Sequence, residues 1–308
     1  MRRRDLLAHA CALFGAAALG CRGRGDAAPS IASSSASGDA HARPADVRAG
    51  LQVLDWTFPD DHGDARRAVV LVPKGVPAGR KLPVLVALHG MTETQSPERG
   101  AHGWLDWYGL DAALAAIEAP PLTAADFQGL VTEGRLAAVN AELQKEPYAG
   151  VIVACPYLPS AIGGALSFDD YAAWIGGALL PRVRKETPAS SEARQTGIDG
   201  VSLGGMTALE IGLKHPELFG VVGALQPAIR GIVGDVVELV AQRLAGRPLR
   251  LVTSSGDYFR DDVTSTSERL RAMGIAHEYL STQGPHDYVW NKGPGAIEMM
   301  VWHDRVQR

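Results

Sequence analysis

Three short stretches of this 308-residue chain carry side chains able to do chemistry together. The first is Gly200-Val201-Ser202-Leu203-Gly204, a serine held between two glycines. This spacing is that of a nucleophile elbow, in which a strand ends, the chain turns sharply and a helix begins. The glycines suit it because the turn brings backbone against backbone. A serine hydroxyl is a poor nucleophile until a base takes its proton. The second stretch, Gly284-Pro285-His286-Asp287-Tyr288, offers His286 as that base. The third, Ser254-Ser255-Gly256-Asp257, offers Asp257 to orient the histidine, with Asp261 and Asp262 as alternative acids. A fourth stretch, His89-Gly90-Met91, could turn the Met91 backbone N–H inward beside that of Leu203. Two such donors would form an oxyanion hole for a tetrahedral intermediate. The chemistry indicated is acyl transfer through a covalent serine intermediate. Each residue also has an ordinary use: a glycine-rich turn, an aspartate capping it, a histidine at the surface.

The elements needed to position these groups are legible around them. Leu203 to Lys214 reads as a helix, with Met206, Leu209, Ile211 and Leu213 supplying apolar faces. His215-Pro216 ends it. Phe219 to Leu225 reads as a buried strand. Upstream, 51–56 and 67–73 look like paired strands around a Pro59-to-Gly63 turn, and Leu82 to Leu88 like a strand buried on both faces. Further strands are expected at 148–154, 248–253 and 276–280, and helices at 168–185, 267–273 and 295–307. Arg194 to Asp199, leading into the elbow, is a poor strand by composition. Strands alternating with helices predict an α/β domain with a mostly parallel sheet, whose functional groups gather at the carboxyl ends of its strands. Residues 92–147 exceed what one crossover needs. They read as a helical insertion after the third strand, with helices at 110–117, 124–131 and 134–145, and are a candidate cap over the site or a solvated excursion.

The ends of the chain have a different character. Arg2, Arg3 and Arg4 precede an apolar run to Gly20, too short to span a membrane, so 1–20 reads as a signal peptide. Arg3-Arg4-Asp5-Leu6-Leu7 resembles the bacterial twin-arginine export signal. Ala18-Leu19-Gly20-Cys21 resembles a lipobox, in which Cys21 would be lipidated and anchor the protein to a membrane, although the family usually has leucine at the place of Ala18. A plain signal peptide cut nearby is the alternative. Residues 21–49 read as a disordered tether and 50–308 as the folded domain. The expected location is the bacterial periplasm or cell envelope. Formal net charge is −4, with no basic run beyond the N-terminus, so nothing points to nucleic acid. Three cysteines are too few for a disulfide framework, and Cys155 is expected to be buried.

The elbow Gly200-Val201-Ser202-Leu203-Gly204-Gly205-Met206, followed by His215-Pro216-Glu217-Leu218-Phe219-Gly220, resembles the esterase D and feruloyl esterase group of the α/β-hydrolases. Gly284-Pro285-His286-Asp287-Tyr288-x-Trp290 resembles that group's histidine motif, with Pro285 in place of a glycine. The order Ser202, Asp257, His286 is the order of that superfamily. The resemblance covers about Pro83 to the C-terminus. It implies an α/β-hydrolase fold and a serine esterase acting on small-molecule or polymer-linked esters, with nucleophile Ser202, acid Asp257 and base His286, and no metal or organic cofactor. His89, Tyr157, Tyr258 and Trp290 are candidate substrate-contacting residues, and the Trp104-to-Tyr108 aromatics could join them in lining a pocket; core packing is the alternative for each. Two other functions compete: a peptidase of prolyl-oligopeptidase type, which usually carries a propeller this chain has no room for, and a surface lipoprotein using the fold as a binding scaffold.

Overall fold

The computed structural model describes residues 50–59, 66–160 and 167–308. The expected leader, Cys21, the tether and most of the Pro59-to-Gly63 turn lie outside them. In chain order the elements are β1 (Leu51–Phe58), β2 (Arg66–Pro73), β3 (Val84–Leu88), α1 (Pro97–Ala101), α2 (Leu110–Glu118), α3 (Glu133–Lys145), β4 (Ile152–Pro156), α4 (Phe168–Trp174), α5 (Leu180–Glu186) and β5 (Thr196–Gly200). After them come α6 (Leu203–Lys214), β6 (Val221–Leu225), α7 (Val233–Arg243), β7 (Leu249–Gly256), α8 (Arg260–Ala272), β8 (Glu278–Pro285), α9 (Tyr288–Trp290) and α10 (Ala296–Val306).

The eight strands form one sheet in the order β1-β2-β4-β3-β5-β6-β7-β8. β2 runs antiparallel to both β1 and β4, and every pairing from β4 across to β8 is parallel. Successive side chains on a strand point to opposite faces. Val84, Val86 and Leu88 therefore enter one core with α4 to α8, while Leu85 and Ala87 enter the other with α2, α3 and α10. β3 to β6 are buried at every position, which explains the apolar runs of β3, β4 and β6, whereas β5 is buried despite its polar composition. Cys155 is buried as expected, in the second of these cores.

Several sequence expectations change. Residues 124–129 are turns rather than a helix: Gln128 and Gly129 adopt φ 55° and 74°, and the Asp126 carboxylate accepts from the Thr123 backbone N–H at 2.7 Å. The 168–185 helix is broken by a π-helical turn at Ile175–Leu179, where Gly176 and Gly177 sit. Helix α8 begins seven residues earlier than expected, and α7 was not anticipated. Of the 92–147 segment, Glu93 and Tyr108 reach the neighbourhood of Ser202, whereas α2 and α3 join α10 as a layer of the fold. Phe127, Leu130 and Leu136 pack in one cluster with Trp290 and Tyr288, behind the stretch that carries His286.

Candidate active site

Ser202 follows β5 and begins α6 with φ 58° and ψ −115°. A non-glycine residue in this region is strained and persists only where its surroundings enforce it. Here the Ser202 N–H donates to Leu225 O at 2.9 Å, its carbonyl accepts from Ala228 N–H at 3.0 Å, and Val201 N–H donates to Leu88 O at 3.2 Å. The two elbow glycines are sterically required. A Cβ at Gly200 would lie 2.6 Å from the Gly204 carbonyl carbon, and one at Gly204 would lie 2.5 Å from Leu88 O. α6 is closed at its far end by Arg247, whose guanidinium donates to the carbonyls of Gly212, Leu213 and Phe219.

His286 follows β8 directly, and Asp257 follows β7. His286 Nδ1 lies 2.7 Å from Asp257 Oδ1. It is Asp257, not Asp261 or Asp262, that meets the histidine; those two lie in the first turn of α8, where Asp262 is 3.6 Å from Arg230. The Asp257 carboxylate also accepts from Phe259 N–H at 3.0 Å and Thr253 Oγ1 at 2.7 Å. A carboxylate so held makes Nδ1 the protonated nitrogen and leaves the Nε2 lone pair free to accept a proton. The rings of Tyr258 and Phe259 lie 5.3 Å and 5.4 Å from that of His286.

Gln226 joins the serine and histidine sides of this site. It follows Leu225, adopts φ 43°, is fully buried, and donates from Nε2 to Ser254 Oγ at 2.7 Å and Pro285 O at 3.2 Å. Ser254 Oγ in turn donates to Gly284 O at 2.6 Å. The residue that receives the Ser202 N–H thus precedes the one that holds the start of the histidine loop. No sequence motif marks Gln226; the only signal was its place at a strand's carboxyl end.

The His89-Gly90-Met91 turn is fixed by His89 itself. Leu158 N–H donates to His89 Nε2 at 2.8 Å, so the ring proton is on Nδ1, which donates to Gly90 O at 2.8 Å. That carbonyl belongs to the Gly90–Met91 peptide, and trans geometry turns its N–H the opposite way. Gly90 N–H is committed to the Tyr108 hydroxyl at 3.0 Å. Met91 and Leu203 are each the first residue of a helix, where the N–H has no partner within the helix.

The four candidate substrate-contacting residues separate. His89 and Trp290 are fully buried and occupied, His89 by main chain and Trp290 Nε1 by Thr282 Oγ1 at 2.8 Å, so neither presents a free surface to a substrate. Tyr157 is half-buried, donates to Thr94 O at 3.0 Å and stacks near His89. Tyr258 is 68% exposed beside His286. Trp104 and Tyr108 are buried core, while Trp107 is 38% exposed.

The strand order and its flanking helices are those of an α/β-hydrolase fold. Residues 160–290 match the family described as "Putative esterase", a span that contains Ser202, Asp257 and His286. The structure is similar to that of a ferulic acid esterase, at 17% identity and TM-score 0.63, covering 83% of this chain and 98% of that one. It is also similar to an S-formylglutathione hydrolase from Staphylococcus aureus, at 13% identity and TM-score 0.56, with 83% and 99% covered. A ferulic acid esterase from the anaerobic fungus Anaeromyces mucronatus gives 20% identity and TM-score 0.53, with 83% and 90% covered. No curated protein sequence matches.

Proposed function

We propose that the protein hydrolyses carboxylic esters by a Ser202–His286–Asp257 triad through an acyl-serine intermediate. The observation that carries this reading is the Asp257–His286 hydrogen bond following β7 and β8, on the same sheet whose β5 leads into the strained Ser202. In this mechanism His286 Nε2 takes the Ser202 proton as Oγ attacks the ester carbonyl. The developing oxyanion is met by the N–H groups of Met91 and Leu203, which cost no reorganisation because their peptides are already fixed. His286 then returns the proton to the departing alcohol. Water, deprotonated by the same nitrogen, releases the acid. Asp257 keeps the proton on Nδ1 and stabilises the imidazolium without itself being protonated. The substrate is a small-molecule or polymer-linked ester, met at the rim by Tyr258.

Wild-type protein should label covalently with a fluorophosphonate and turn over activated esters. Ser202→Ala and His286→Ala should each abolish labelling and lower turnover by roughly 10⁴-fold or more, with thermal stability nearly unchanged. Asp257→Asn should retain a measurable residue of activity. Wild-type protein that neither labels nor hydrolyses any activated ester would leave the binding-scaffold reading standing.

A further inference from the structure

Glu93 takes no part in the steps above, yet it is 1% exposed and lies three residues beyond Gly90. Two phenols supply its hydrogen bonds. Tyr108 donates to Oε2, and Tyr288 donates to Oε1 at 2.6 Å. Arg99 Nη2 stands 3.8 Å from Oε1 and 3.4 Å from the Tyr288 hydroxyl. An acidic side chain buried this deeply costs several kcal/mol unless its oxygens are satisfied, and here both are.

The direction of these bonds matters. A phenol has one proton, and that of Tyr108 goes to Glu93, so its oxygen is left to accept the Gly90 N–H. Gly90 opens the peptide whose N–H, on Met91, serves as the oxyanion donor. A Cβ at Gly90 would lie 3.1 Å from the Tyr108 hydroxyl and 3.8 Å from Ser202 Cβ, so this anchor ends beside the nucleophile. Tyr288 stands two residues after His286 and packs 5.9 Å from the Tyr108 ring. One buried carboxylate therefore ties the turn that holds the oxyanion donor to the loop that holds the base.

We propose that Glu93 is a positioning residue that keeps the Gly90–Met91 turn and the His286 loop in register through Tyr108 and Tyr288. The inference rests on the serine-ester reading given above. Replacing Glu93 by glutamine keeps the shape but puts a donor where one phenol needs an acceptor. Tyr108 or Tyr288 must then rotate its proton elsewhere, and the group it anchors shifts.

The test uses the full chain with p-nitrophenyl acetate, counting competent sites by fluorophosphonate titration and following thermal unfolding in parallel. Glu93→Gln and Tyr108→Phe should each lower kcat per titrated site about 10- to 100-fold with KM little changed, as expected when catalytic groups are displaced by an ångström or less. Tyr288→Phe should also lower kcat, by a smaller factor. The Glu93→Gln/Tyr108→Phe double variant should be no slower than the slower single variant, because both act through one anchor. A kcat per site within about twofold of wild type in all three single variants would overturn the proposal, whatever their melting temperatures. So would a loss confined to KM. If wild-type protein neither turns over the ester nor labels, the ester reading falls and this inference falls with it, an outcome distinct from an active wild type with indifferent variants.

Discussion

His89 is a neutral histidine by construction. Its Nε2 must accept from a backbone N–H and its Nδ1 must donate to a carbonyl, so a second proton would break one of these bonds. Burial pushes its pKa down to about 4. In the unfolded chain the same side chain titrates at about 6.5. Below that pH the unfolded state binds a proton that the native state refuses, so stability is full above about 6.5 and is lost as pH falls toward 4. The loss from this residue is on the order of 3 kcal/mol. Urea unfolding at pH 7 and at pH 4.5 should show His89→Gln losing less stability between the two than wild type does. Equal losses would assign acid sensitivity to other groups. Catalysis should follow the same trend, because a protonated His89 no longer accepts from Leu158 N–H, and the ring whose Nδ1–H holds the Gly90 carbonyl loses its own support.

At the scale of elements, β5 shows why a central strand can be hard to read. Thr196-Gly197-Ile198-Asp199-Gly200 is poor in apolar residues, yet every position is buried. Asp199 Oδ2 lies 3.1 Å from His303 Nε2 on α10, and Oδ1 accepts from Gly200 N–H at 2.7 Å. His303 Nδ1 meets Gln307 Oε1 at 2.9 Å, and Gln307 Nε2 donates to Val84 O on β3 at 2.8 Å. Room for the carboxylate comes from β6, where a Cβ at Gly223 would fall 2.0 Å from Asp199 Oδ2. Gly223→Ala should therefore destabilise by about 1–3 kcal/mol or more in chemical denaturation. Gly134→Ala, on open ground in α3, should be neutral or stabilising by up to about 1 kcal/mol. Equal behaviour of the two would show that the Asp199 site relaxes freely. The elbow and the histidine loop were legible because a tight turn writes itself into adjacent residues, whereas Asp257 could not be separated from Asp261 and Asp262 until the fold set it against His286. Asp199, Glu93 and Gln226 were not legible, since their partners lie far along the chain and charge buried by such a partner looks like a surface residue. Helix α7 escaped for another reason: its buried positions Val236, Val237 and Val240 are β-branched and weak helix formers. The helix expected at 124–131 failed because Gln128 and Gly129 take left-handed backbone conformations.

For the whole molecule, the segment between β3 and β4 is bound into the body by buried charge. Arg135 on α3 donates bidentately to Glu298 on α10 at 2.7 Å and 2.6 Å, and Arg250 on β7 donates to the Glu298 carbonyl oxygen at 2.5 Å. Breaking such a cluster from one side leaves a buried charge unpaired. At the other end of the chain, Arg3-Arg4 and Ala18-Leu19-Gly20-Cys21 motivate the expectation of an exported protein beginning at a lipidated Cys21. Mass spectrometry of membrane-extracted protein should find the acylated peptide. A mature form that is soluble and starts elsewhere would remove the anchor while leaving the catalytic reading intact.

The Asp199–His303 pair has a consequence for the order in which the protein is made. Its members are 104 residues apart, and Val84 waits 223 residues for Gln307. The ribosome therefore releases the serine, its elbow and most of the central sheet well before the groups that pair with and brace the strand beneath them. Until His303 emerges, Asp199 in the sheet's middle lacks the imidazole that meets its Oδ2, so completing the active site waits on late synthesis rather than on local folding. Nascent chains arrested short of residue 303 should contain Ser202 and yet remain unlabelled by a fluorophosphonate, acquiring reactivity only when synthesis resumes.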